Sequence, residues 1–402
     1  MKRYSYKAKD KKTGRIISGS VQADSENAAG RILIDQGYIP QRIVEEGKKG
    51  FFSKFSNRIT GKQRIIFTRQ LATLIGAGLP LSSALRMVAD QTEDKPTKAM
   101  AEDVLAQVEG GKTLHEAFAK YPDVFNQVYL SLVAAGEASG TLDVSMKRLA
   151  AQQEKDASMI SKIRGAMTYP AIVLLVIVVV LIFMMVAVVP QVEILYNDLG
   201  ETLPWLTQVL VGVSNFVMNF WWLILVILII TVWFFVQFRK TSVGMRWLAV
   251  FKLNVPIFKG LFQRLYNARF ARTAQMLLSA GVPMLEAMSI SGRAMNNIVM
   301  EEQIAQATTM VRSGKPLSTS LKGRDYILPL LPQMAATGEQ SGKIDEMLGK
   351  AAQVYEDELD ERIAAISTMI EPILMVALAV VAGGIVGAVL FPIYSLVSKI
   401  GA

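Results

Sequence analysis

Three long runs without a single charged residue constrain this chain more than any other feature. Residues 171–189 read AIVLLVIVVVLIFMMVAVV, residues 221–238 read WWLILVILIITVWFFVQF, and a third run extends from Ile373 to about Tyr394. At 1.5 Å per residue, the first crosses a hydrocarbon core of about 30 Å with little tilt. The second starts as early as Phe216, and Pro372 leads the third. A buried core helix is the alternative for such a run, but no soluble segment here is large enough to wrap three of them. An ionisable group inside a span is the usual mark of an ion path. Its absence from all three runs argues against a transporter or a proton-driven motor.

The rest of the chain is far more polar. Of 402 residues, 51% are hydrophobic, yet 19% are charged. That mixture suits soluble domains attached to a few spans. Cysteine is absent, which excludes disulfides, thiolate catalysis and cysteine-ligated metals. The opening MKRYSYKAKDKKTGR has no apolar core, so no signal peptide is expected and the N-terminus should stay in the cytoplasm.

The net charge of +9 is explained in part by where the cations fall. Lys155, Lys162 and Arg164 precede the first run, and Arg239, Lys240, Arg246 and Lys252 follow the second. Between Gln191 and Asn219 stand Glu193, Asp198 and Glu201 without one Lys or Arg. The positive-inside rule then puts that loop outside and both large polar regions inside, with the C-terminus emerging outside. Aromatics are too sparse among the charges for stacking on nucleic acid. Lys147, Arg148, Lys155 and Lys162 can instead meet an acidic partner or anionic headgroups.

The two polar regions repeat one another. FTRQLATLIGAGLPLSSAL (67–85) aligns without gaps on FARTAQMLLSAGVPMLEAM (270–288), with seven identities that include Arg69/Arg272, Gly78/Gly281 and Pro80/Pro283. At the same offset Gly111-Lys112 matches Gly314-Lys315. After a one-residue gap, Gly136-Glu137-Ala138-Ser139-Gly140 matches Gly338-Glu339-Gln340-Ser341-Gly342, and Pro170 matches Pro372. Leu71, Leu74, Ile75, Leu81, Leu85 and Val88 keep helical spacing. Gly78 suits a left-handed C-cap and Pro80 the start of the next helix, so the AGLP and AGVP segments are helix–turn–helix corners. GEASG and GEQSG are a second kind of break, with Gly140 and Gly342 freeing the backbone. A charged helix from about 141 to 169 then leads into the membrane, and Pro170 and Pro372 are expected to kink or restart it.

The N-terminal segment differs. Tyr4 to Ala8 and Ile16 to Val21 alternate like strands around a Lys12-Thr13-Gly14 turn, Ser25 reads as a helix cap, and Tyr38 to Val44 as another strand. The expected layout is a module over 1–46, a linker over 47–62, a helical repeat over 63–169 and a span over 171–190. An outside loop over 191–215 and a span over 216–238 follow. A second repeat over 239–371, a span over 373–396 and a tail over 397–402 complete it. The fold class is mostly α and polytopic: two homologous cytoplasmic helical bundles, three transmembrane helices and a small α/β N-terminal module.

Few residues suggest chemistry. Gly110-Gly111-Lys112-Thr113 lacks the first glycine of a phosphate-binding loop, where Ala106 stands, and its repeat partner Gly314-Lys315-Pro316 has no hydroxyl. The only histidine, His115, aligns with Ser318, cannot build a metal site alone and reads as a surface helix residue. Glu137 and Glu339 read as capping groups within their breaks; an interface or a cation site, with Asp143 beside Glu137, is the sharper alternative. Two carboxylates are too few to assign a metal. Gly383 and Gly387 form a GxxxG step that allows close helix approach, within the chain or between two copies. No nucleophile–base pair stands out for a membrane enzyme. The membrane subunit of a transporter remains the alternative class.

The two AGxP corners, the paired GExSG segments, the prolines opening their spans, the YSYKAKD opening and Gly37-Tyr38-Ile39-Pro40 together resemble the PilC/GspF family of type IV pilus and type II secretion platform proteins. The resemblance covers essentially the whole chain, and Gln340 is a mild departure. It implies a bacterial inner-membrane scaffold with no catalytic residue, metal or cofactor. Its implied partners are a hexameric assembly or retraction ATPase, pilins or pseudopilins, other inner-membrane assembly components, membrane lipid and further copies of itself, but no nucleic acid.

Overall fold

A computed structural model of the chain describes residues 2–10, 16–23, 26–35, 37–45, 59–198 and 205–400. The chain divides into two compact units, Met1–Gln70 with Pro80–Gly110, and Leu71–Leu79 with Gly111–Ala402.

In the first unit, β1 (Lys2–Asp10) lies between β2 (Ile16–Ala23) and β3 (Tyr38–Glu45), antiparallel to both. Tyr4 stands opposite Val21, and the β1–β3 register shifts between Lys7 and Ala8. Helix α1 (Glu26–Asp35) packs on this sheet and buries Ala29 and Leu33, while Ala8 and Ala23 are buried on the strands. The Lys12-Thr13-Gly14 turn, Ser25 and most of the 47–62 linker lie outside the described residues. Helix α2 (Gly61–Gly76) begins here, and α3 (Leu81–Gln91) and α4 (Lys95–Glu109) form a hairpin. Leu85, Val88, Met100 and Val104 are buried in it. Asp94 caps α4 by accepting the Thr97 N–H at 3.1 Å, and Pro96 occupies the first turn, where no donor is needed.

The second unit carries the membrane-length helices. Phe118 of α5 (Leu114–Ala119), Phe125 of the connecting segment and Tyr129 of α6 (Gln127–Ser139) pack against each other with ring centroids 4.2 to 5.5 Å apart. Helix α7 (Leu142–Phe183) then runs 42 residues, about 63 Å at 1.5 Å per residue. A π turn over Met184–Val188 joins it to α8 (Val189–Asp198). Pro190 explains the wide turn: it has no N–H to give and its ring crowds the carbonyl four residues back. The Val189 N–H accordingly bonds five residues back, to the Met184 carbonyl. In α9 (Trp205–Phe238), which bends at Phe220, the Ser214 hydroxyl donates to the Met185 carbonyl of that turn.

The remaining helices are α10 (Ser242–Asn254), α11 (Pro256–Ser279), α12 (Met284–Ala294), α13 (Ile298–Arg312), α14 (Leu317–Leu321), α15 (Leu330–Ser341) and α16 (Ile344–Ile400). Helices α11 to α16 close around Phe270, Met300, Ile304, Leu317, Leu331 and Tyr355, all buried. The Tyr355 hydroxyl donates to the Leu328 carbonyl at 3.2 Å and accepts the Leu331 N–H at 3.0 Å, so this buried phenol is satisfied as both donor and acceptor. Helices α2 to α7 and α11 to α16 correspond in order, which agrees with the duplication.

Among the described residues, three helices are long and apolar enough to cross a membrane by length and composition, lying within Leu142–Asp198, Thr207–Phe238 and Ile344–Gly384. Only 11%, 0% and 12% of their most apolar windows is buried. Leu175, Phe183, Ile227, Ile229 and Val376 all point outward, a surface that water would not tolerate and lipid requires.

Three expectations need correction. Pro170 and Pro372 neither break nor restart their helices; α7 and α16 pass through them. A mid-helix proline costs about 3 kcal/mol. Opening the helix where no water can satisfy the freed groups costs several kcal/mol for each. Most of the expected 191–215 loop is helical, because α8 extends to Asp198 and α9 begins at Trp205, well before Phe216. The expected 397–402 tail is also helical as far as Ile400.

Candidate functional site

The paired GExSG segments form the same junction twice. Gly140 and Gly342 both sit at φ +70, the left-handed conformation that glycine adopts without cost. The Thr141 and Lys343 N–H groups reach back to the Gly136 and Gly338 carbonyls, each at 2.9 Å. Gly136 and Gly338 are needed for closeness instead. A Cβ on Gly136 would stand 2.7 Å from the Ser145 Oγ, and one on Gly338 would stand 2.7 Å from the Ile344 Cα. Helices α6 and α15 therefore touch the next helix almost backbone to backbone.

The glutamates bind backbone amides. Glu137 accepts the Leu114 N–H at 2.5 Å and the His115 N–H at 2.9 Å. Glu339 accepts the Leu317 N–H, the Ser318 N–H at 3.4 Å and the Ser318 hydroxyl at 2.5 Å. Each carboxylate thus caps the short helix α5 or α14 from a neighbouring helix, where it also meets the positive end of the helix dipole. Asp143 lies in the first turn of α7, and no cluster of three or more metal-ligating side chains occurs among the described residues. His115 is half-buried and not a surface residue, because its Nδ1 lies 3.0 Å from the Leu130 carbonyl. In the second repeat an open groove of 620 Å³ lies beside the junction, between Met284, Lys315, Ser318 and Gln340.

The corners behave as their glycines require. Gly78 and Gly281 take φ +86 and +82. The Leu79 N–H bonds the Leu74 carbonyl and the Val282 N–H bonds the Leu277 carbonyl, a Schellman closure in both repeats. Pro80 and Pro283 immediately precede α3 and α12. Gly111 and Gly314 are likewise left-handed, at φ +91 and +88. Thr113 caps α5 in a reciprocal box with Glu116, so the Gly-Lys-Thr segment is a helix boundary.

A feature absent from the expected site is the seam between the repeats. Met159 of α7, Leu261 and Leu265 of α11, and Leu359, Ile363 and Ile366 of α16 form one apolar cluster. Charges run beside it. Glu356, 5% exposed, accepts from Arg272 at 2.6 and 3.0 Å and from Lys155 of the other repeat. Lys162 meets Asp360 at 2.6 Å, Arg264 meets Glu358 at 2.5 Å, and Arg148 donates to the Ser279 hydroxyl at 2.6 Å. A buried carboxylate with two cationic partners is costly to disturb, since losing a partner leaves charge without compensation. The usable signal was the Arg69/Arg272 identity together with Glu154/Glu356, a repeated opposite-charge pair. Tyr266, at the edge of the second bundle, has its phenol pushed up by burial, against a hydrogen bond from Asn297 and the charge of Arg269.

Gly383 and Gly387 stand apart from these contacts. A Cβ on either would meet nothing within 4 Å among the described residues.

Comparison with known proteins agrees with this duplicated plan. The model of type II secretion system protein F matches twice, at residues 67–190 and 270–392, and that of its N-terminal domain matches residues 1–44. The chain is 36% identical to the type IV pilus assembly protein PilC of Thermus thermophilus, over 99% of this chain and 98% of that protein. It is 35% identical to the PilC of Myxococcus xanthus over 97% of this chain and 94% of the relative. It is also 32% identical to type II secretion system protein F of Vibrio cholerae over 98% of both. With two matched repeats and full-length relatives on both sides of the pilus–secretion divide, the chain belongs to the type II secretion system protein F family.

Proposed function

We propose that this chain is the inner-membrane assembly platform of a type IV pilus or a type II secretion machine, a scaffold with no catalysis of its own. One observation carries the reading. In each repeat a single unbroken helix starts inside the bundle and ends in an apolar run, α7 in the first and α16 in the second. A push or twist on the bundles has no hinge in which to dissipate before it reaches the spans. The seam through Glu356 ties the two helices together, so α7 and α16 move as one.

In this reading the bundles face the cytoplasm, as the placement of Lys155, Lys162, Arg239 and Lys240 favours, and the C-terminus lies outside. A hexameric ATPase docks on the bundles and supplies the stroke. The spans receive pilin or pseudopilin helices and lift them into the filament beside other inner-membrane components and a second copy of the chain. Gly383 and Gly387 offer that copy a close-approach face. Two measurements on the full chain in native membranes test the proposal. A periplasmic reporter fused at Gly200 should be active and one at Asn296 silent, and crosslinking should recover a hexameric ATPase on the bundles. The reverse reporter pattern would refute the sidedness, and substrate flux through vesicles holding this chain alone would refute the scaffold.

A further inference from the structure

Helix α10 follows α9 after a turn of three residues and has two unlike faces. Ala249 and Leu253 are buried in the core of the second bundle, and Gly244 is buried against the elbow itself. Val243, Trp247, Val250 and Phe251, one stripe at helical spacing, are 70%, 52%, 37% and 51% exposed. The angle of the elbow is fixed, because a Cβ on Gly244 would stand 1.9 Å from the Phe238 carbonyl oxygen. Trp247 stacks on Phe251 at 5.2 Å and meets Phe238, the last residue of α9, edge-on at 6.3 Å. The exposed stripe is therefore continuous with the end of a membrane-length helix.

Beneath α10 is a cavity of 330 Å³ lined by Arg239, Lys252, Arg293, Asn296 and Tyr266, with Glu301 as its one carboxylate. Among the described residues none of the three cations is in an ion pair, whereas nearby Arg246 is held by Glu302 at 2.9 Å. Lys252 lies over the Phe262 ring at 5.7 Å. The floor is pinned: Asn296 takes φ +55, and the Asn297 side chain accepts the Val299 and Met300 N–H groups at 3.0 and 3.1 Å. Three cations facing one carboxylate, in a rigid hollow beside a span, match an anion delivered by the membrane.

We infer that α10 lies in the headgroup layer and that the Arg239–Lys252–Arg293 cavity holds the headgroup of an anionic phospholipid. The inference rests on α9 spanning the bilayer and needs nothing of the platform reading. The amphipathic stripe supplies apolar insertion and the cavity supplies charge recognition, the two components of interfacial binding. Arg239 and Lys252 approach the phosphate from the ends of α9 and α10, and Arg293 closes it from α12.

The absence of cysteine makes the test direct. The full chain is labelled through Trp247→Cys, Leu228→Cys or Lys112→Cys with a fluorophore, in vesicles of phosphatidylcholine with one-fifth phosphatidylglycerol. Brominated lipid should quench the labels at 228 and 247, and aqueous iodide the label at 112. Quenching at 228 with iodide-only quenching at 247 would overturn the interfacial placement while leaving the span intact. Loss of quenching at 228 would overturn the span as well. For the cavity, native mass spectrometry of the detergent-solubilised chain should show retained phosphatidylglycerol in preference to phosphatidylcholine. Arg239→Gln, Lys252→Gln and Arg293→Gln should each lower that retention about five-fold, the effect of one cation at a lipid surface. Lys98→Gln, Lys315→Gln and Lys322→Gln should leave it unchanged. Equal loss in both sets, or full displacement of the lipid by millimolar inorganic phosphate, would overturn the lipid assignment.

Discussion

Replacing Glu356 by Gln tests the seam between the repeats most directly. The Glu356 side chain is 5% exposed, Arg272 is 19% and Lys155 is 41% exposed. Breaking a buried pair by removing one partner costs about 3–5 kcal/mol. Lys155 recovers part of its hydration when released, so the expected loss is at the lower end, about 3 kcal/mol. For a domain of roughly 200 residues that lowers the melting midpoint by about 6–12 °C. The assay is thermal unfolding of the full chain in detergent, followed by tryptophan fluorescence. A second variant separates charge burial from packing. Lys155→Met, Arg272→Met and Glu356→Leu together should melt near the parent, because apolar replacements of a whole buried ionic group are often neutral. The exposed pair of Lys162 and Asp360, at 52% and 48% exposure, provides the scale. Asp360→Asn should cost under about 1 kcal/mol. A Glu356→Gln variant no less stable than Asp360→Asn, or a triple variant as unstable as the single one, would refute the costly burial of charge at this seam.

Other consequences can be measured on the same preparation. Gly338→Ala should destabilise by about 1–3 kcal/mol, because its new Cβ meets the Ile344 backbone at 2.7 Å. Gly387→Ala should leave the melting midpoint unchanged; equal effects at the two glycines would contradict the packing described. Glu137→Ala and Glu339→Ala each strand two backbone donors and should cost about 1–2 kcal/mol. Faster amide exchange at Leu114 and Leu317 would locate the damage, and unchanged exchange there would dismiss the capping role. Ser214→Ala removes the donor to the Met185 carbonyl in the π turn and should cost about 0.6 kcal/mol, with Ser214→Thr retaining the parent value.

Much of the architecture was legible because its causes are local. An apolar run of membrane length needs no partner to be recognised, and a glycine before a proline after a helical stripe dictates a corner. The duplication then multiplied each weak signal: Gly78 alone is one glycine, but Gly78 and Gly281 in register are a rule. The restart expected at Pro170 and Pro372 does not occur, because opening a helix in lipid costs more than the proline itself does. The start of α9 was missed because Thr207, Gln208 and Ser214 dilute the apolar signal, although Thr207 and Ser214 are buried. Glu137 and Glu339 are expected to cap within their own breaks, yet their bonds go to helices about twenty residues upstream, a pairing that no local spacing announces. The seam was the hardest to read. Lys155 and Glu356 are 201 residues apart, and no periodicity along one helix reveals a partner on another.

On one ideal α-helix, Glu356 and Gly383 are separated by about 7.5 turns. The side of α16 that grips the first repeat and the side that carries its bare glycines are thus about half a revolution out of phase. Because no joint interrupts α16 between them, any torque entering at the carboxylate is delivered to the opposite flank of the same rod, with its angle preserved. Adding or deleting one residue between them would reset that angle by about 100°, while leaving every contact at either end chemically available.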